Sequence, residues 1–291
     1  MPRARGDVVS VDELVRAAAR RLREAGVLSP EVDAELLLAH AMGLDRAGLR
    51  RARVLREQVG PAVHGAFLEL VVRRADRVPL QHLTGTAWFA GLELAVGPGV
   101  FVPRPETETL VRLALATLQD LTSPTVVDLC TGSGAIALAL SHQRPDARVG
   151  AVELSQEAYR YAVANRARTG LEVDLRLGAA QESFEDWRGR VDLVVSNPPY
   201  IPPDAVPVDP EVRDHDPGLA LYGGGTDGLE LPGLLASRAG QLLRPGGALL
   251  MEHADSQSAS VVGLLEHTGW RDVRDHEDLA GRPRVVAATR A

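Results

Sequence analysis

The sequence lacks lysine altogether and has a single cysteine, Cys130, among its 291 residues. One cysteine excludes an intramolecular disulfide and a multi-cysteine metal site, so we do not expect structural zinc. No apolar run approaches the roughly 20 residues that span a bilayer, and the N-terminus has no apolar run of signal-peptide length. These absences predict a cytoplasmic protein with no membrane partner.

An excess of positive charge is also missing, because the formal net charge is −7 at pH 7. This value argues against a protein that coats nucleic acid by bulk electrostatics. Residues 1–80 hold 14 arginines and 11 acidic residues, net +3, whereas residues 81–291 hold 18 arginines and 28 acidic residues, net −10. The asymmetry predicts two modules.

The N-terminal part of the chain has a helical pattern. Apolar residues recur at helical spacing from Ser10 to about Arg77, which predicts a small helical bundle. Ser29 before Pro30 is typical of a helix start, with serine as the N-cap and proline at the first helical position. We therefore predict a helical domain over residues 1–78.

Glycine, proline and β-forming residues dominate the next segment, which we predict to be a linker over residues 79–105. Its stretch GTAWFAGLELAV indicates a hairpin or strand pair around Ala90 and Gly91. Trp88 and Phe89 are expected to pack this hairpin against a neighbouring domain, because large aromatic side chains favour buried positions.

Strand-like and helix-like segments alternate from Thr125 onward, which is typical of βαβ units and a largely parallel sheet. We predict that residues 106–291 form this α/β domain. The expected strands include TVVDLC, ARVGAVEL, EVDLRL, VDLVVS and ALLME, the last preceded by a turn over residues 244–247, and two final strands near Val273 and Val285-Val286.

A glycine-rich turn follows the first of these strands and opens a helix. Glycine lets the backbone approach a ligand closely, and the helix N-terminus presents unpaired N–H groups. The third glycine of the dinucleotide fingerprint is missing. The turn predicts a nucleotide-like ligand, although a tight strand-to-helix turn needs glycine even where nothing binds. Its residues are Asp128, Leu129, Cys130, Thr131, Gly132, Ser133 and Gly134.

An acidic residue, Glu153, ends the second strand of the α/β domain, 19 residues after Gly134. A carboxylate at that position is placed to accept hydrogen bonds from both hydroxyls of a ribose. The alternative is a helix N-terminal acid, because Ser155 and Glu157 open the next helix. In combination with the glycine-rich turn, we favour the ribose role.

The fourth strand ends in the tetrad Asn197-Pro198-Pro199-Tyr200, where two residues without an N–H create a rigid break. With the two features above, the tetrad resembles the signature of S-adenosylmethionine-dependent methyltransferases that modify planar nitrogens. Such a nitrogen must be held with its N–H groups accepted, and the Asn197 side-chain oxygen and the Pro198 carbonyl are suited to that task. Tyr200 can pack on the planar group and fix its orientation.

Further stretches narrow the resemblance to the release-factor glutamine N5-methyltransferases, often called the HemK or PrmC family. The resemblance covers nearly the whole chain, including a helical N-terminal domain ahead of the catalytic one. The stretch at 101–108 is its most selective part, because the tetrad is shared with adenine and guanine methyltransferases. These stretches are FVPRPETE at 101–108, Asp216-Pro217, ALYGGGTDGL at 220–229 and RPGG at 244–247.

The resemblance implies methylation of the side-chain N5 of the glutamine in the Gly-Gly-Gln motif of class 1 peptide-chain release factors. S-adenosylmethionine is the implied cofactor and S-adenosylhomocysteine the other product, with no metal and no direct nucleic-acid partner. The implied fold is a Rossmann-like class I methyltransferase: a mainly parallel seven-stranded sheet with one reversed strand, after a small helical domain that docks the release factor. We expect a monomer.

The resemblance also assigns roles to residues. Asn197, Pro198, Pro199 and Tyr200 are the implied catalytic positions. Phe101 and Arg104 are expected to line or brace the site. The implied cofactor contacts are Asp128, Cys130, Thr131, Gly132, Ser133, Gly134, Glu153, Ala180, Gln181, Asn197 and Phe101.

Two positions depart from the family pattern. Glycine is usual where this chain has Cys130, and a small side chain facing the core is expected to be tolerated there, without a redox or nucleophilic role. After the third strand the family places an acidic or aromatic group beside the adenine, whereas this chain has Gly178-Ala179-Ala180-Gln181-Glu182. The adenine contact is therefore left open.

Two other functions stay in view. An enzyme that methylates an exocyclic amine of a nucleic acid would share the tetrad but would also need a basic groove. The net negative charge of residues 81–291 disfavours such a groove. A nucleotide-binding module without methyl transfer would not need the tetrad.

Overall fold

The structure, a computed structural model, describes residues 9–291 and forms two compact units. The first unit comprises the chain up to Thr86 together with Val208–His215, and the second comprises Ala87–Pro207 and Asp216–Ala291. The division after Thr86 falls inside the predicted linker over residues 79–105. The first eight residues of the predicted helical domain lie outside the described residues.

The first unit is built from helices, as the sequence predicts. A short antiparallel pair joins its β1 and β2, with Val9 opposite Val59. Its elements in chain order are β1 (Val9–Ser10), α1 (Val11–Glu24), α2 (Pro30–Met42), α3 (Arg46–Val54), β2 (Gln58–Val59), α4 (Pro61–Ala75) and α5 (Leu80–Thr84).

Local sequence signals set where these helices begin. Ser10 caps α1 and forms a capping box with Glu13, because its hydroxyl accepts from the Glu13 N–H while the Glu13 carboxylate accepts from the Ser10 N–H. Ser29 lies at the N-cap position of α2 and Pro30 follows at its first position, as predicted, but within the described residues the Ser29 side chain makes no capping hydrogen bond. The helices enclose one apolar core that includes Leu22, Leu37, Leu38 and Phe67.

A buried ion-pair cluster holds the later segment Val208–His215 in the first unit. Arg74 of α4 donates to Asp33 of α2 (Nε to Oδ2, 2.7 Å) and to Glu211 (Nη2 to Oε1, 2.7 Å). Arg77 donates to the same Glu211 oxygen at 3.0 Å. Only 5% of the Arg74 side chain is exposed. No local sequence pattern indicates this long-range pairing.

The predicted hairpin is confirmed as β3 (Thr86–Phe89) paired with β4 (Leu92–Ala95). Ala90 and Gly91 form its turn with positive φ values of 48° and 88°. Phe89 is buried, but Trp88 is 71% exposed, so the expectation that Trp88 packs against a neighbour was wrong. Neighbouring residues on a strand point to opposite faces, and only one face of this hairpin is covered.

The second unit continues with alternating strands and helices. Within residues 9–291 no helix is long and apolar enough to cross a bilayer. The remaining elements are α6 (Glu108–Leu118), β5 (Thr125–Leu129), α7 (Ala135–Gln143), β6 (Arg148–Glu153), α8 (Gln156–Thr169), β7 (Asp174–Leu177), β8 (Val191–Ser196), α9 (Pro210–His215, part of the first unit), α10 (Glu230–Leu242), β9 (Leu243–Glu252), α11 (Ser258–His267), β10 (Arg271–Glu277) and β11 (Pro283–Thr289).

Seven strands form one sheet in the order β10-β11-β9-β8-β5-β6-β7. The pairs from β9 to β7 are parallel, and β11 is antiparallel to both of its neighbours, so β11 is the one reversed strand. This arrangement confirms the predicted Rossmann-like fold.

Both faces of the sheet are covered, which explains the nearly continuous apolar runs in its central strands. Val126 of β5 belongs to the core that includes residues of α6, α7 and α8. Its neighbour Val127 belongs to the opposite core, which includes residues of α10 and α11. The alternation places a layer of helices on each side of the sheet.

The sequence predicts a turn over residues 244–247 that precedes the strand ALLME, and this prediction is wrong. β9 already begins at Leu243, which pairs with Val191, and pairing with β8 resumes from Leu193 to Ala248. The four residues between bulge out of the strand, with Gly246 at φ +75°. Glycine and proline therefore mark a bulge here rather than the end of the strand.

We predict that Arg74→Met destabilises the helical unit by about 3 kcal/mol, because the buried Asp33 carboxylate loses its cation. Burial already raises the pKa of Asp33, and the Arg74 guanidinium opposes that effect. Urea unfolding followed by circular dichroism measures the change, with the exposed Arg50→Met as control. Adding Asp33→Leu should recover part of the loss, and a double variant less stable than Arg74→Met would contradict this account.

Candidate functional site

The site residues lie at the carboxyl edge of the sheet, where strand order switches. Leu129 of β5 is opposite Val152 of β6 on one side and Ser196 of β8 on the other. In the sheet, β6 and β7 lie on one side of β5, and the next strand in the chain, β8, lies on its other side. Ligands of α/β folds bind at such a switch in strand order. The predicted site residues at these three strand ends are Cys130 and Asn197, which directly follow β5 and β8, and Glu153, the last residue of β6.

Three alternate residues of the glycine-rich loop have a left-handed backbone conformation. Cys130, Gly132 and Gly134 have φ values of 68°, 58° and 84°. A Cβ on Gly132 would meet open space, whereas a Cβ on Gly134 would lie 3.1 Å from Leu138. Gly134 thus permits close helix packing, and the open space at Gly132 fits a ligand that approaches the backbone.

Cys130 occupies a left-handed conformation that favours glycine, the residue that the resemblance leads us to expect at this position. Its side chain packs against the core that contains Val127 and Leu129. Burial, followed by the nearby Glu153 and Asp128 carboxyls, raises the pKa of the thiol. A neutral thiol in this position is a poor nucleophile.

Asp128 anchors the loop from inside the sheet. It is fully buried, and its Oδ2 accepts a 2.6 Å hydrogen bond from the Thr131 hydroxyl. Burial raises its pKa to about 7, while the Thr131 hydroxyl acts in the opposite direction. The Ser196 hydroxyl also donates to the Leu129 carbonyl at 2.6 Å, which ties the ends of β5 and β8 together.

Glu153 links the glycine-rich loop to the start of α8. Its Oε2 accepts from the Gly132 N–H at 2.8 Å and its Oε1 accepts from the Ser155 N–H at 2.7 Å. Burial raises its pKa, and these backbone donors oppose the shift. A carboxylate offers about four acceptor positions, so capacity for ribose hydroxyls is left. The helix N-terminal role that the sequence left open is also present.

Asn165 is a structural residue of the site that the sequence analysis missed. It is fully buried in α8 and bridges two segments. Its Oδ1 accepts from the Ala95 N–H at 2.6 Å, and its Nδ2 donates to the carbonyls of Ala95 and Ser133, both at 3.0 Å. A polar residue on the buried face of a helix was the available signal, because such a residue must find partners.

The tetrad Asn197–Tyr200 is held by backbone and side-chain contacts. The Tyr200 N–H donates to the Leu221 carbonyl at 3.1 Å, and Gln257 Nε2 donates to the Tyr200 carbonyl at 2.8 Å. A Cβ on Gly228 would lie 2.1 Å from the backbone carbonyl oxygen of Tyr200. The glycine-rich stretch at 220–229 is therefore a close-packed support for the tetrad.

The Asn197 side chain is oriented by Thr107, from the selective FVPRPETE stretch. Asn197 Nδ2 donates to Thr107 Oγ1 at 3.2 Å. With its nitrogen engaged, Asn197 presents Oδ1 as the remaining acceptor of the side-chain amide. This orientation is the one that a substrate N–H requires.

Glu252, at the end of β9, lies behind the tetrad. It is 2% exposed, and burial raises its pKa to about 7. The neighbouring Thr107 hydroxyl, the charge of Arg284 and the Tyr200 hydroxyl oppose that shift, while Oε2 of Glu252 has no hydrogen-bond partner in the part of the chain that the structure describes. Burial, and then the charge of Glu252, raise the pKa of Tyr200, so its hydroxyl stays protonated. Tyr200 as a whole is half-buried.

Phe101 and Arg104 form a second contact group in the same unit. Arg104 Cζ lies 5.2 Å from the centre of the Phe101 ring, and Arg104 Nη2 donates to Asp216 Oδ2 at 2.8 Å. The Asp216 side chain is fully buried. The ion pair therefore fixes Arg104 against Phe101.

Ala180 and Gln181 follow β7 at the same edge of the sheet. Ala180 is buried and Gln181 is exposed. Their contact with an adenine stays a prediction. Across residues 9–291, no group of three or more His, Cys, Asp or Glu side chains is arranged to hold a metal ion.

Two family models match the chain. The model described as PrmC N-terminal domain matches residues 13–85, which lie in the helical unit. The model described as methyltransferase small domain matches residues 91–208.

Curated relatives match along almost the full chain. The release factor glutamine methyltransferase of Streptomyces coelicolor is 50% identical over 282 residues, which are 95% of this chain and 97% of the relative. The protein of the same name from Mycolicibacterium smegmatis is 49% identical over 278 residues, with coverages of 95% and 96%.

Solved structures share the fold. The 16S rRNA N2 G1207 methyltransferase of T. thermophilus, solved with AdoMet and guanosine, has a TM-score of 0.52 at 21% identity and covers 71% of this chain and 50% of its own. A methyltransferase from Pyrococcus furiosus has a TM-score of 0.51 at 19% identity, with coverages of 69% and 90%. Identities this low establish the fold alone.

We predict that Glu252→Gln gains stability relative to wild type as the pH rises. Burial raises the pKa of Glu252 from 4.5 to about 7, so folding takes up a proton between these values. Wild type therefore loses stability from about pH 4.5 to about pH 7, and the variant lacks this loss. Melting temperatures from pH 5 to pH 8.5 measure the difference.

The matched control for this experiment is Glu266→Gln, at an exposed position on α11. Its melting-temperature difference from wild type should stay constant over the same pH range. A difference for Glu252→Gln that is equally constant would contradict the raised pKa.

Proposed function

Because the chain belongs to the family of release factor glutamine methyltransferases, we propose that it methylates the side-chain N5 of the glutamine in the Gly-Gly-Gln motif of class 1 peptide-chain release factors. Identity near 50% over almost the full length of two relatives carries this proposal. The protein is thus an enzyme that transfers a methyl group from S-adenosylmethionine to a protein.

The open space at Gly132 and the remaining acceptor capacity of Glu153 support a cofactor site at the switch point. We propose that the loop over residues 130–134 holds the cofactor, that Glu153 accepts from its ribose hydroxyls, and that Asp128 and Phe101 complete the site. Ala180 and Gln181 are the proposed neighbours of the adenine. When bound, S-adenosylmethionine supplies a methyl group activated by a sulfonium.

The residues of the tetrad act on the substrate amide. Its nitrogen is a weak nucleophile, because the lone pair is spread into the carbonyl. We propose that Asn197 Oδ1 and the Pro198 carbonyl accept its two N–H groups, which aims the nitrogen and stabilises the positive charge that develops on it. Pro199 stiffens the turn, and the Tyr200 ring packs on the amide plane.

The proton balance of the reaction needs no dedicated base. A new N–C bond forms as the methyl–sulfur bond breaks, and the nitrogen then carries one proton more than the neutral methylamide. That nitrogen is strongly acidic and releases the proton to solvent as or after the methyl group arrives. The tetrad therefore works by positioning and electrostatics.

We propose that the helical unit, predicted over residues 1–78, docks the release factor. This role would explain why a separate helical unit precedes a methyltransferase unit that already contains the candidate site. We also propose that the protein is cytoplasmic, is a monomer and needs no nucleic acid for its activity. Light scattering of the purified protein tests whether it is a monomer.

The test of this function is transfer of labelled methyl from S-adenosylmethionine to a purified class 1 release factor. The matched substrate carries Gly-Gly-Ala in place of Gly-Gly-Gln, and total RNA and DNA are tested beside it. We expect label on the wild-type factor alone. Label on nucleic acid would assign a nucleic-acid amine as substrate, and no label on any of them would support a binding module without transfer.

We predict that Asn197→Ala lowers kcat by about 10²–10³-fold, the range for removal of one preorganised group that stabilises charge in a transition state. The dissociation constant for S-adenosylmethionine should change less than about two-fold, because the cofactor loop and Glu153 are unchanged. Single-turnover transfer and titration calorimetry measure the two quantities. Turnover close to that of wild type would remove Asn197 from the mechanism.

A further inference from the structure

An asparagine that accepts a substrate N–H has an orientation problem. The two ends of its side-chain amide have nearly the same shape, but one end only accepts hydrogen bonds and the other only donates them. If Nδ2 faced the substrate nitrogen, two donors would oppose each other. The site must therefore favour one of two amide orientations that are related by a 180° rotation.

Strand pairing brings the residues that set this orientation together. Ser196 at the end of β8 is opposite Met251 of β9, so Asn197 and Glu252 follow at neighbouring strand ends. Thr107 ends a short helical turn over Pro105–Thr107, directly before α6. Thr107 and Glu252 are 4% and 2% exposed, so water has little access to either.

The direction of each hydrogen bond follows from the chemistry of the partners. When the Glu252 carboxyl is ionised it has acceptors only, so the neighbouring Thr107 hydroxyl is placed to donate toward it rather than toward Asn197. The hydroxyl oxygen of Thr107 is then left to accept, and it accepts from Asn197 Nδ2 at 3.2 Å. With Nδ2 engaged, Oδ1 points to the other side.

We propose that Thr107 and Glu252 are positioning residues that hold the Asn197 amide with Oδ1 toward the substrate nitrogen. Neither residue touches the reacting atoms, and both act through Asn197. The proposal rests on the proposed function, in which Oδ1 accepts the substrate N–H.

The charge of Glu252 determines which of the two orientations of the Asn197 amide is favoured. The groups that face this carboxyl are the hydroxyls of Thr107 and Tyr200, the guanidinium of Arg284 and the carboxyl of Glu106. Glutamine at position 252 could donate its NH₂ to the Thr107 oxygen. The Thr107 proton would then be available to Asn197 Oδ1, which would favour the reversed amide.

The experiment compares Thr107→Val, which removes the hydroxyl at constant shape, with Thr107→Ser, which keeps it. We expect Thr107→Val to lower kcat for the release factor by about ten-fold or more, equivalent to about 1.4 kcal/mol. Thr107→Ser should restore at least about a third of the wild-type rate. The cofactor dissociation constant should stay within about two-fold for both. Thr109→Val, at another buried threonine of the same segment, is the matched control and should leave kcat unchanged.

Glu252→Gln supplies an independent arm. Its kcat deficit relative to wild type should be about ten-fold at pH 8 and should narrow toward pH 6, because the wild-type carboxyl is then partly protonated. A residue with only a structural role would give a deficit that does not depend on pH. Equal kcat for Thr107→Val and Thr107→Ser, or a deficit for Glu252→Gln that is constant with pH, would overturn the proposal.

A readout without substrate separates this inference from the proposed function. The side-chain ¹⁵NH₂ signal of Asn197, identified by its loss in Asn197→Ala, should exchange slowly with water in wild type and in Thr107→Ser. It should exchange at least about ten-fold faster in Thr107→Val, because the acceptor is gone. If wild type fails to methylate the release factor while this pattern holds, the function is wrong and the orientation is right. Unchanged exchange in Thr107→Val would reject the orientation itself.

Discussion

The parallel pairing of β5 between β6 and β8 is the constraint on which the rest of the site depends. Parallel strands in register end at one edge, so the glycine-rich loop, Glu153 and Asn197 emerge side by side. The change in strand order at β5 opens a crevice between loops that turn to opposite sides of the sheet. Residues that are far apart in sequence become neighbours through backbone pairing alone.

Strand pairing places the loops, but side chains give them their shape. The Glu153 carboxylate holds the N–H groups of Gly132 and Ser155, and Gln257 holds the Tyr200 carbonyl. Each of these bonds replaces a contact with water in a segment that is not helix or strand. These bonds fix the positions of the two loops relative to the strands that carry them.

Sequence patterns predicted the parts of this structure that depend on local rules. Periodicity identified the helices and strands, and short motifs located the turns after β5, β6 and β8. Contacts between distant segments were not predictable in this way. Asn165 joins Ala95 to Ser133, and Arg74 joins Asp33 to Glu211, yet no spacing in the sequence links these partners. The bulge at 244–247 was misread because glycine and proline mark bulges as well as turns.

Three buried carboxyl groups make the site unfavourable for stability at neutral pH. Burial is the largest cause of the raised pKa of Asp128, Glu153 and Glu252. Asp128 nevertheless accepts from Thr131, and Glu153 accepts from the N–H groups of Gly132 and Ser155, so two of these carboxyls fix the glycine-rich loop. The carboxyl groups whose burial costs stability at neutral pH thus include those that fix the loops of the candidate site. Such a cost in stability is expected at functional sites.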